Sequence, residues 1–141
     1  MEHRLPFSTV AAGEARRLSK DFVRSRLDEA RTVDFQVMVS EIVGNAVRHG
    51  RPEADGCIGL RLEVDAGVVR AVVSDAAPEF QFKPKTFDEA DVSHFGLLMV
   101  DELADRWGLS LDGKKAVWFE VDVGPSGRSG SGAEGPEVDG D

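Results

Sequence analysis

The sequence predicts an α+β fold, a two-layer sandwich in which helices cover one face of a mixed, mainly antiparallel sheet. Two stretches, 13–29 and 34–50, repeat apolar residues at helical spacing, and 58–64 alternates apolar and polar residues as a half-buried strand does. A tight turn at 65–67 separates that strand from an apolar run at 68–74, so the two strands form an antiparallel hairpin. Such helices and such a sheet bury their apolar faces when they stack.

Along the chain the predicted order is βααββ, a long loop, and αββ. The loop at 79–93 has no periodic pattern, and loops of that length in compact domains are often functional lids. Pro6 would place the first strand at an edge or at its own start, because proline lacks the N–H that a ladder needs. The other predicted elements are a strand at 4–10, a link at 30–33, a helix at 94–106 ended by Trp107-Gly108, a strand at 109–111, a turn at Asp112-Gly113 and a strand at 115–123.

Composition excludes several classes of function. A chain of 141 residues with 41% hydrophobic and 30% charged residues fits one globular domain. The net charge of −9 argues against direct contact with nucleic acid or an anionic membrane surface. The single cysteine, Cys57, cannot form an internal disulfide. The first ten residues lack the apolar segment of a signal peptide, and no run is long enough to span a membrane, so we expect a cytoplasmic protein.

The last stretch, 124–141, differs from the rest. It holds six of the fifteen glycines, and Val138 is its one aliphatic residue larger than alanine. Such a composition buries too little apolar surface to offset the entropy of ordering. We therefore predict a folded domain at 1–123 and a disordered, acidic, glycine-rich tail at 124–141.

The central predicted helix begins after the capping residue Asp34 and stops at Gly50. Glu41 and Asn45 are four residues apart, so both side chains project from one face. A carboxylate can take a proton from a hydroxyl, and an amide oxygen is a hard ligand that Mg²⁺ accepts while keeping most of its waters. Gly44 leaves room against this face. The alternative is an amphipathic helix whose polar side only faces water.

Three separated stretches, together with the last strand, resemble motifs of one superfamily. The sequence SEIVGNAVRHG (40–50) is similar to the N-box of the GHKL, or Bergerat-fold, ATP-binding domains. VVSDAAP (72–78) resembles their G1 box, HFGLLMVDELADRWG (94–108) their G2 box and its helix, and KAVWFEV (115–121) their last strand. Within that superfamily the chain is most similar, over about residues 5–123, to the bacterial anti-sigma-factor serine/threonine kinases of the general-stress and sporulation type.

This resemblance implies a role for each matched residue. Glu41 matches the base that activates a serine hydroxyl or a water, and Asn45 matches the ligand of the Mg²⁺ that bridges the ATP phosphates. Asp75 matches the aspartate that accepts a hydrogen bond from the adenine amino group. Gly96 and Leu97 match the place where the lid meets a helix N-terminus, whose N–H groups can bind phosphate. The lid itself matches residues 79–95.

His49 closes the N-box and is grouped with the ATP-binding residues, with a partner of the helix dipole as its alternative role. Asp75 has an alternative role as a turn-capping residue before Pro78.

Three positions depart from the family pattern. Ala77 and His94 stand where the G1 and G2 patterns usually have glycine, and Ala116 stands where a threonine often supports the adenine-reading aspartate. Glycine at such places lets the backbone approach a nucleotide closely. These departures motivate an alternative of another class, a non-catalytic partner-binding module with weakened or lost ATP binding.

The leading hypothesis is a cytoplasmic, ATP- and Mg²⁺-binding anti-sigma regulator with serine/threonine kinase activity. The resemblance implies a sigma factor and a small anti-sigma antagonist of the STAS type as partners, and a homodimer is a further expectation. The basic face of the first helix is either solvated or a contact surface for an acidic partner or a second copy. A third alternative, the ATPase half of a sensor histidine kinase, is disfavoured because no phosphoacceptor helix precedes the domain.

Overall fold

The computed structural model describes residues 1–77, 97–110 and 115–124. Within these ranges the chain forms five strands and three helices. In chain order they are β1 (Glu2–Pro6), α1 (Ala11–Val23), α2 (Glu29–His49), β2 (Cys57–Asp65), β3 (Val68–Asp75), α3 (Leu98–Leu103), β4 (Arg106–Ser110) and β5 (Lys115–Asp122).

The strands form one sheet in the order β1-β2-β3-β5-β4, and every described pair is antiparallel. The α+β prediction is confirmed, as are the hairpin of β2 with β3 and the edge position of the strand that carries Pro6. At the hairpin turn, Ala66 and Gly67 have φ angles of 53° and 79°. Two consecutive residues at positive φ are the signature of the type I′ turn, whose twist matches that of the flanking strands.

Alternation along the central strands directs one row of side chains toward the helices. Leu62, Ala71 and Phe119 lie opposite one another on β2, β3 and β5, and all three are fully buried. Phe35 of α2 meets Phe119 edge to face, with 5.0 Å between ring centroids. A pair of this kind adds about 0.5–1.5 kcal/mol to the stabilisation from burial alone. The contact fixes α2 across the middle of the sheet.

The helix α2 is longer than the sequence predicts. Asp28, not Asp34, is its N-cap, and the Asp28 side chain accepts a hydrogen bond from the N–H of Arg31 at 2.8 Å. The guanidinium of Arg31 donates to the backbone carbonyls of Asp122 and Gly124, which ties this first turn to the end of β5. The predicted link at 30–33 is therefore wrong, because tertiary contacts hold these residues helical.

Other predicted boundaries also shift. The first strand ends at Pro6 rather than residue 10, and the first helix ends at Val23 rather than residue 29. The helix predicted to reach Arg106 ends at Leu103, and residues 106–108 belong to β4. Arg106 lies opposite Glu120 of β5 and its Nε donates to the Glu120 carboxylate at 2.7 Å. This cross-strand pair favours an extended chain where the helical pattern would have continued.

Several predictions fall outside the described residues. They are the lid at 79–95, the residues Pro78, His94 and Gly96, the turn at Asp112-Gly113 and the tail beyond residue 124. Among the described helices none combines the length and apolar character needed to cross a membrane.

One ion pair ties β1 to the turn before β2. Arg4 donates through Nε and Nη2 to both oxygens of Asp55, each at 2.9 Å, and also pairs with Glu53. The hydrogen bonds from Arg4 are the main reason that the pKa of Asp55 falls from 3.8 to about 2. A bidentate guanidinium–carboxylate pair of this geometry holds the carboxylate ionised.

The stability that Asp55 contributes is therefore expected to depend on pH. A carboxylate with a lowered pKa stabilises the fold above its unfolded pKa, and that contribution is lost as pH falls through the folded pKa. We expect the difference in melting temperature between the native chain and Asp55→Asn to shrink as pH falls from about 4 to about 2. Circular dichroism melts across that range provide the measurement, and a difference that stays constant would contradict the assignment.

Candidate nucleotide-binding site

Glu41 and Asn45 lie on one face of α2, as the sequence predicts. Glu41 is half-buried, and its carboxylate has no hydrogen-bond or ion-pair partner within the described ranges. Asn45 is 8% exposed, yet its amide is directed to the polar side of the helix, where it meets Arg48. A carboxylate that makes no such contact keeps its acceptor oxygens available for chemistry.

The guanidinium of Arg48 occupies the space that Gly44 leaves open. Its Nη2 donates to Oδ1 of Asn45 at 2.9 Å, and a Cβ built on Gly44 would lie 3.0 Å from its Nη1. A carbonyl oxygen has two lone pairs, so one on Asn45 Oδ1 remains for a metal ion. Arg48 itself is exposed and can move aside.

Asp75 is the last residue of β3 and is 2% exposed. Its Oδ1 accepts hydrogen bonds from the N–H groups of Ala77 at 2.7 Å and Arg51 at 3.4 Å. The first of these contacts is the turn-capping role that was the alternative for this residue. A carboxylate has about four lone-pair positions, so capping and ligand recognition do not exclude each other.

Asp75 also contacts Lys115, a residue of the neighbouring strand β5. The two are directly opposite in the β3–β5 register, and the Lys115 ammonium nitrogen lies 3.2 Å from Asp75 Oδ2. Lys115 is only 7% exposed. By the family resemblance, Ala116 stands where a threonine often supports the adenine-binding aspartate. In the structure Ala116 pairs with Ser74, so its side chain lies on the opposite face of the sheet from Asp75. Sequence reasoning missed Lys115, and the strand register was the signal that would have found it.

Gly50 brings the end of α2 against Asp75. A Cβ at Gly50 would lie 2.5 Å from Asp75 Oδ2 and 2.6 Å from the carbonyl oxygen of Ala46. Gly50 has a φ of −101°, so glycine is required here by space and not by backbone conformation. At the helical rise of 1.5 Å per residue, Asn45 lies about 7 Å along the axis from Gly50. Gly50 therefore places the C-terminal end of α2, which also carries Asn45, against Asp75.

Gly50→Ala is expected to displace Asp75 and to destabilise the fold by about 1–3 kcal/mol. The new Cβ would clash with a buried carboxylate and with a backbone oxygen, and neither can move away without disturbing its own packing. If Asp75 accepts a hydrogen bond from the adenine of a bound nucleotide, the same substitution also weakens nucleotide binding. Urea unfolding and calorimetric titration with ATP give the two measurements.

A matched control is Gly13→Ala in α1, where the new Cβ would come no closer than 3.7 Å to the Arg16 guanidinium. Alanine is the better helix former by about 1 kcal/mol, so this variant should gain stability and bind nucleotide unchanged. Equal behaviour of the two variants would contradict the close packing of Gly50 on Asp75.

The remaining predicted site residues have other settings. Leu97 is 1% exposed and directly precedes α3, with its carbonyl accepting from the N–H of Asp101 at 2.8 Å. Its side chain belongs to the core, so only its backbone could face a phosphate. His49 is the last residue of α2 and is half-buried, in the last turn where a cation suits the helix dipole.

The donor set suits Mg²⁺ better than a tightly held structural metal. In the described ranges no group of three or more His, Cys, Asp or Glu side chains converges to hold a metal ion. Mg²⁺ usually takes one or two protein oxygens and completes its shell with water and substrate phosphates. The free lone pair on Asn45 Oδ1 fits that requirement.

The end of α2 and the end of β3 thus carry an amide, a carboxylate without a partner in the described part of the chain, and a buried aspartate. Residues 5–120 match the histidine kinase-like ATPase domain, and the chain belongs to this family. It is an ATP-binding domain of the GHKL type, a family that includes kinases. No curated protein matches the chain.

Proposed function

We propose that this protein is an anti-sigma regulator that binds ATP with Mg²⁺ and phosphorylates a serine or threonine of an anti-sigma antagonist. The observation that carries the proposal is the arrangement on α2. Glu41 lacks a partner among the described residues and shares a face with Asn45, while the end of the same helix packs on Asp75. A nucleotide with its base at Asp75 and its phosphates toward Asn45 would bring the γ-phosphate near Glu41.

In this proposal Asp75 and Asn45 bind and orient the nucleotide. The carboxylate of Asp75 accepts a hydrogen bond from the exocyclic amino group of adenine. Asn45 would hold the metal ion through Oδ1, and a bound Mg²⁺ supplies neutralisation of the phosphate charge. Positioning and charge neutralisation account for most of the catalysis of phosphoryl transfer, so few reactive side chains are needed.

Glu41 acts as the general base. It accepts the proton of the attacking serine hydroxyl as the new O–P bond forms and the bond between the γ-phosphorus and the bridging oxygen of ADP breaks. Proton transfer to a positioned side chain contributes about 10²–10⁴-fold to such rates. Because Glu41 has no competing partner in the described ranges, its acceptor oxygens remain available for this proton.

The partners proposed are a sigma factor and an STAS-type antagonist in the cytoplasm, and a second copy of the chain as a homodimer. Phosphorylation of the antagonist would control release of the sigma factor. The basic residues of α1 suit an acidic partner surface, although Arg17 already pairs with Glu14 at 2.6 Å. Direct contact with nucleic acid or membrane is not part of the proposal, since the chain carries a net charge of −9.

The test is transfer of labelled γ-phosphate from ATP to each STAS-type protein of the same cell, with Mg²⁺ present. The proposal expects one of them to be labelled on serine or threonine. Nucleotide binding without transfer to any of them would leave the alternative, a partner-binding module on this fold. If the chain does not bind ATP at all, the proposed kinase activity is ruled out. Autophosphorylation on histidine would indicate a histidine kinase instead.

A further inference from the structure

A groove with a volume of about 320 Å³ lies between α1 and the first turns of α2. On the α1 side it is bordered by Lys20 and by Arg24, the C-cap of that helix, and both side chains are exposed. On the α2 side it is bordered by Val33, which is 51% exposed. The groove is completed by Leu27, Glu29, Thr32 and Gln36. It therefore offers positive charge on one side and apolar surface on the other.

The two cations of the groove have no partner in the described part of the chain. Neither Lys20 nor Arg24 makes a side-chain hydrogen bond or an ion pair there, whereas the nearby Arg17 pairs with Glu14. Among the described residues that line the groove, Glu29 is the one acid, so the lining keeps a net positive charge. A groove with charge of one sign favours an occupant of the opposite sign.

The described residues end beside this groove. The carbonyl oxygen of Gly124 accepts a hydrogen bond from Nη2 of Arg31 at 3.0 Å, and Arg31 is two residues before Val33 on α2. The sequence after Gly124 is rich in glycine and serine, and Val138 follows fourteen positions later. A chain of that length spans at most roughly 50 Å, several times the diameter of a helix, which is about 10–12 Å. Val138 can therefore reach the groove.

We propose that the acidic segment 134–139 (EGPEVD) of the same chain binds in this groove. In an extended chain Glu137 and Asp139 project to one side, about 7 Å apart, and Val138 projects to the other. The two cations of the groove are four residues apart on a helix, which separates them by about 6 Å along its axis. The two carboxylates therefore match the two cations, while Val138 meets the apolar side of the groove.

The linkage within one chain makes these few contacts sufficient. Exposed ion pairs are individually weak, and each changes an equilibrium by about 1.5- to 5-fold. A short flexible linker compensates, because it gives the occupant an effective concentration on the order of millimolar. A bound segment covers the exposed cations of α1, so an acidic partner that uses the same face has to displace it. This inference goes beyond the proposed kinase function and does not depend on nucleotide binding.

The test is nuclear magnetic resonance of the full chain labelled with ¹⁵N. The amide shifts of residues 134–139 are compared with those of a synthetic peptide of residues 125–141, which represents the free segment. We expect the shifts in the native chain to differ from those of the peptide. The double variant Lys20→Gln/Arg24→Gln should move them toward the peptide values, since loss of two exposed ion pairs lowers the ratio of bound to free segment by about 2- to 30-fold.

The double variant Arg16→Gln/Arg17→Gln is the matched control, because it removes two exposed cations of α1 that do not line the groove. It should leave the shifts of the segment as they are in the native chain. Val138→Ser tests the contact from the other side. We expect it to change the amide shift of Val33, although the two residues are far apart in sequence.

Three results would overturn the proposal. Native shifts equal to those of the free peptide would leave the groove to an acidic partner protein. Equal changes in the two double variants would mean that the segment responds to net charge alone. Shifts that depend on the concentration of the protein would show that a second copy supplies the segment, which rules out binding within one chain.

Discussion

Asn45→Ala is expected to weaken ATP binding in the presence of Mg²⁺ by about 100-fold, because the substitution removes the amide oxygen that would hold the metal ion. Folding should change little. Asn45 has one described hydrogen bond, from the exposed Arg48 side chain, and its loss leaves Arg48 free to contact water. The effect on binding should therefore be far larger than the effect on stability.

Calorimetric titration with ATP, with and without Mg²⁺, provides the measurement. Without the metal ion, the native chain and Asn45→Ala should differ much less, because the amide then has no cation to hold. Gln36→Ala is the matched control, since Gln36 is an amide on the same helix that donates to the carbonyl of Arg16, on the α1 side. Equal losses in both variants would contradict a metal-binding role for Asn45.

Glu41→Gln is expected to leave ATP affinity nearly unchanged and to lower the rate of phosphate transfer by about 10²–10⁴-fold, as loss of a general base does. Glutamine has the same shape but a neutral amide that cannot accept the hydroxyl proton. Because the Glu41 carboxylate has no partner in the described part of the chain, its replacement breaks no described ion pair. A drop in rate without a drop in stability or affinity is therefore the expected signature.

Single-turnover transfer of labelled phosphate to the antagonist measures this rate independently of binding. Glu29→Gln, in the first turn of the same helix, changes the charge equally at a distance from the polar site and should react as the native chain does. If Glu41→Gln retained full transfer, the base would have to be another residue.

The sheet and the two long helices could be predicted because their patterns are strong and local. The alternation of residues 58–64, the tight turn after them and the apolar stripe of α2 each have a single structural interpretation. Boundaries were less predictable where long-range contacts decide them. The carbonyl oxygens of Asp122 and Gly124, far away in sequence, hold Arg31 in the first turn of α2, and Glu120 holds Arg106 in a strand.

The candidate site was predictable in its residues more than in its contacts. Helical spacing alone brings Glu41 and Asn45 together, and the end of an apolar strand marks Asp75. The interaction of Arg48 with Asn45 and that of Lys115 with Asp75 were not predicted. The Arg48–Asn45 contact depends on the rotamer of Arg48. The Asp75–Lys115 contact depends on the register between two strands whose paired residues are forty positions apart, and a register shift of one residue would move Lys115 to the other face of the sheet.

The most direct test of the account is a crystal structure with a non-hydrolysable ATP analogue and Mg²⁺. We expect the adenine amino group within hydrogen-bond distance of Asp75, and the metal ion bound by Oδ1 of Asn45 with Arg48 moved aside. A nucleotide bound elsewhere, or an unliganded Asp75 that keeps only its contacts to Lys115, Ala77 and Arg51, would contradict the account.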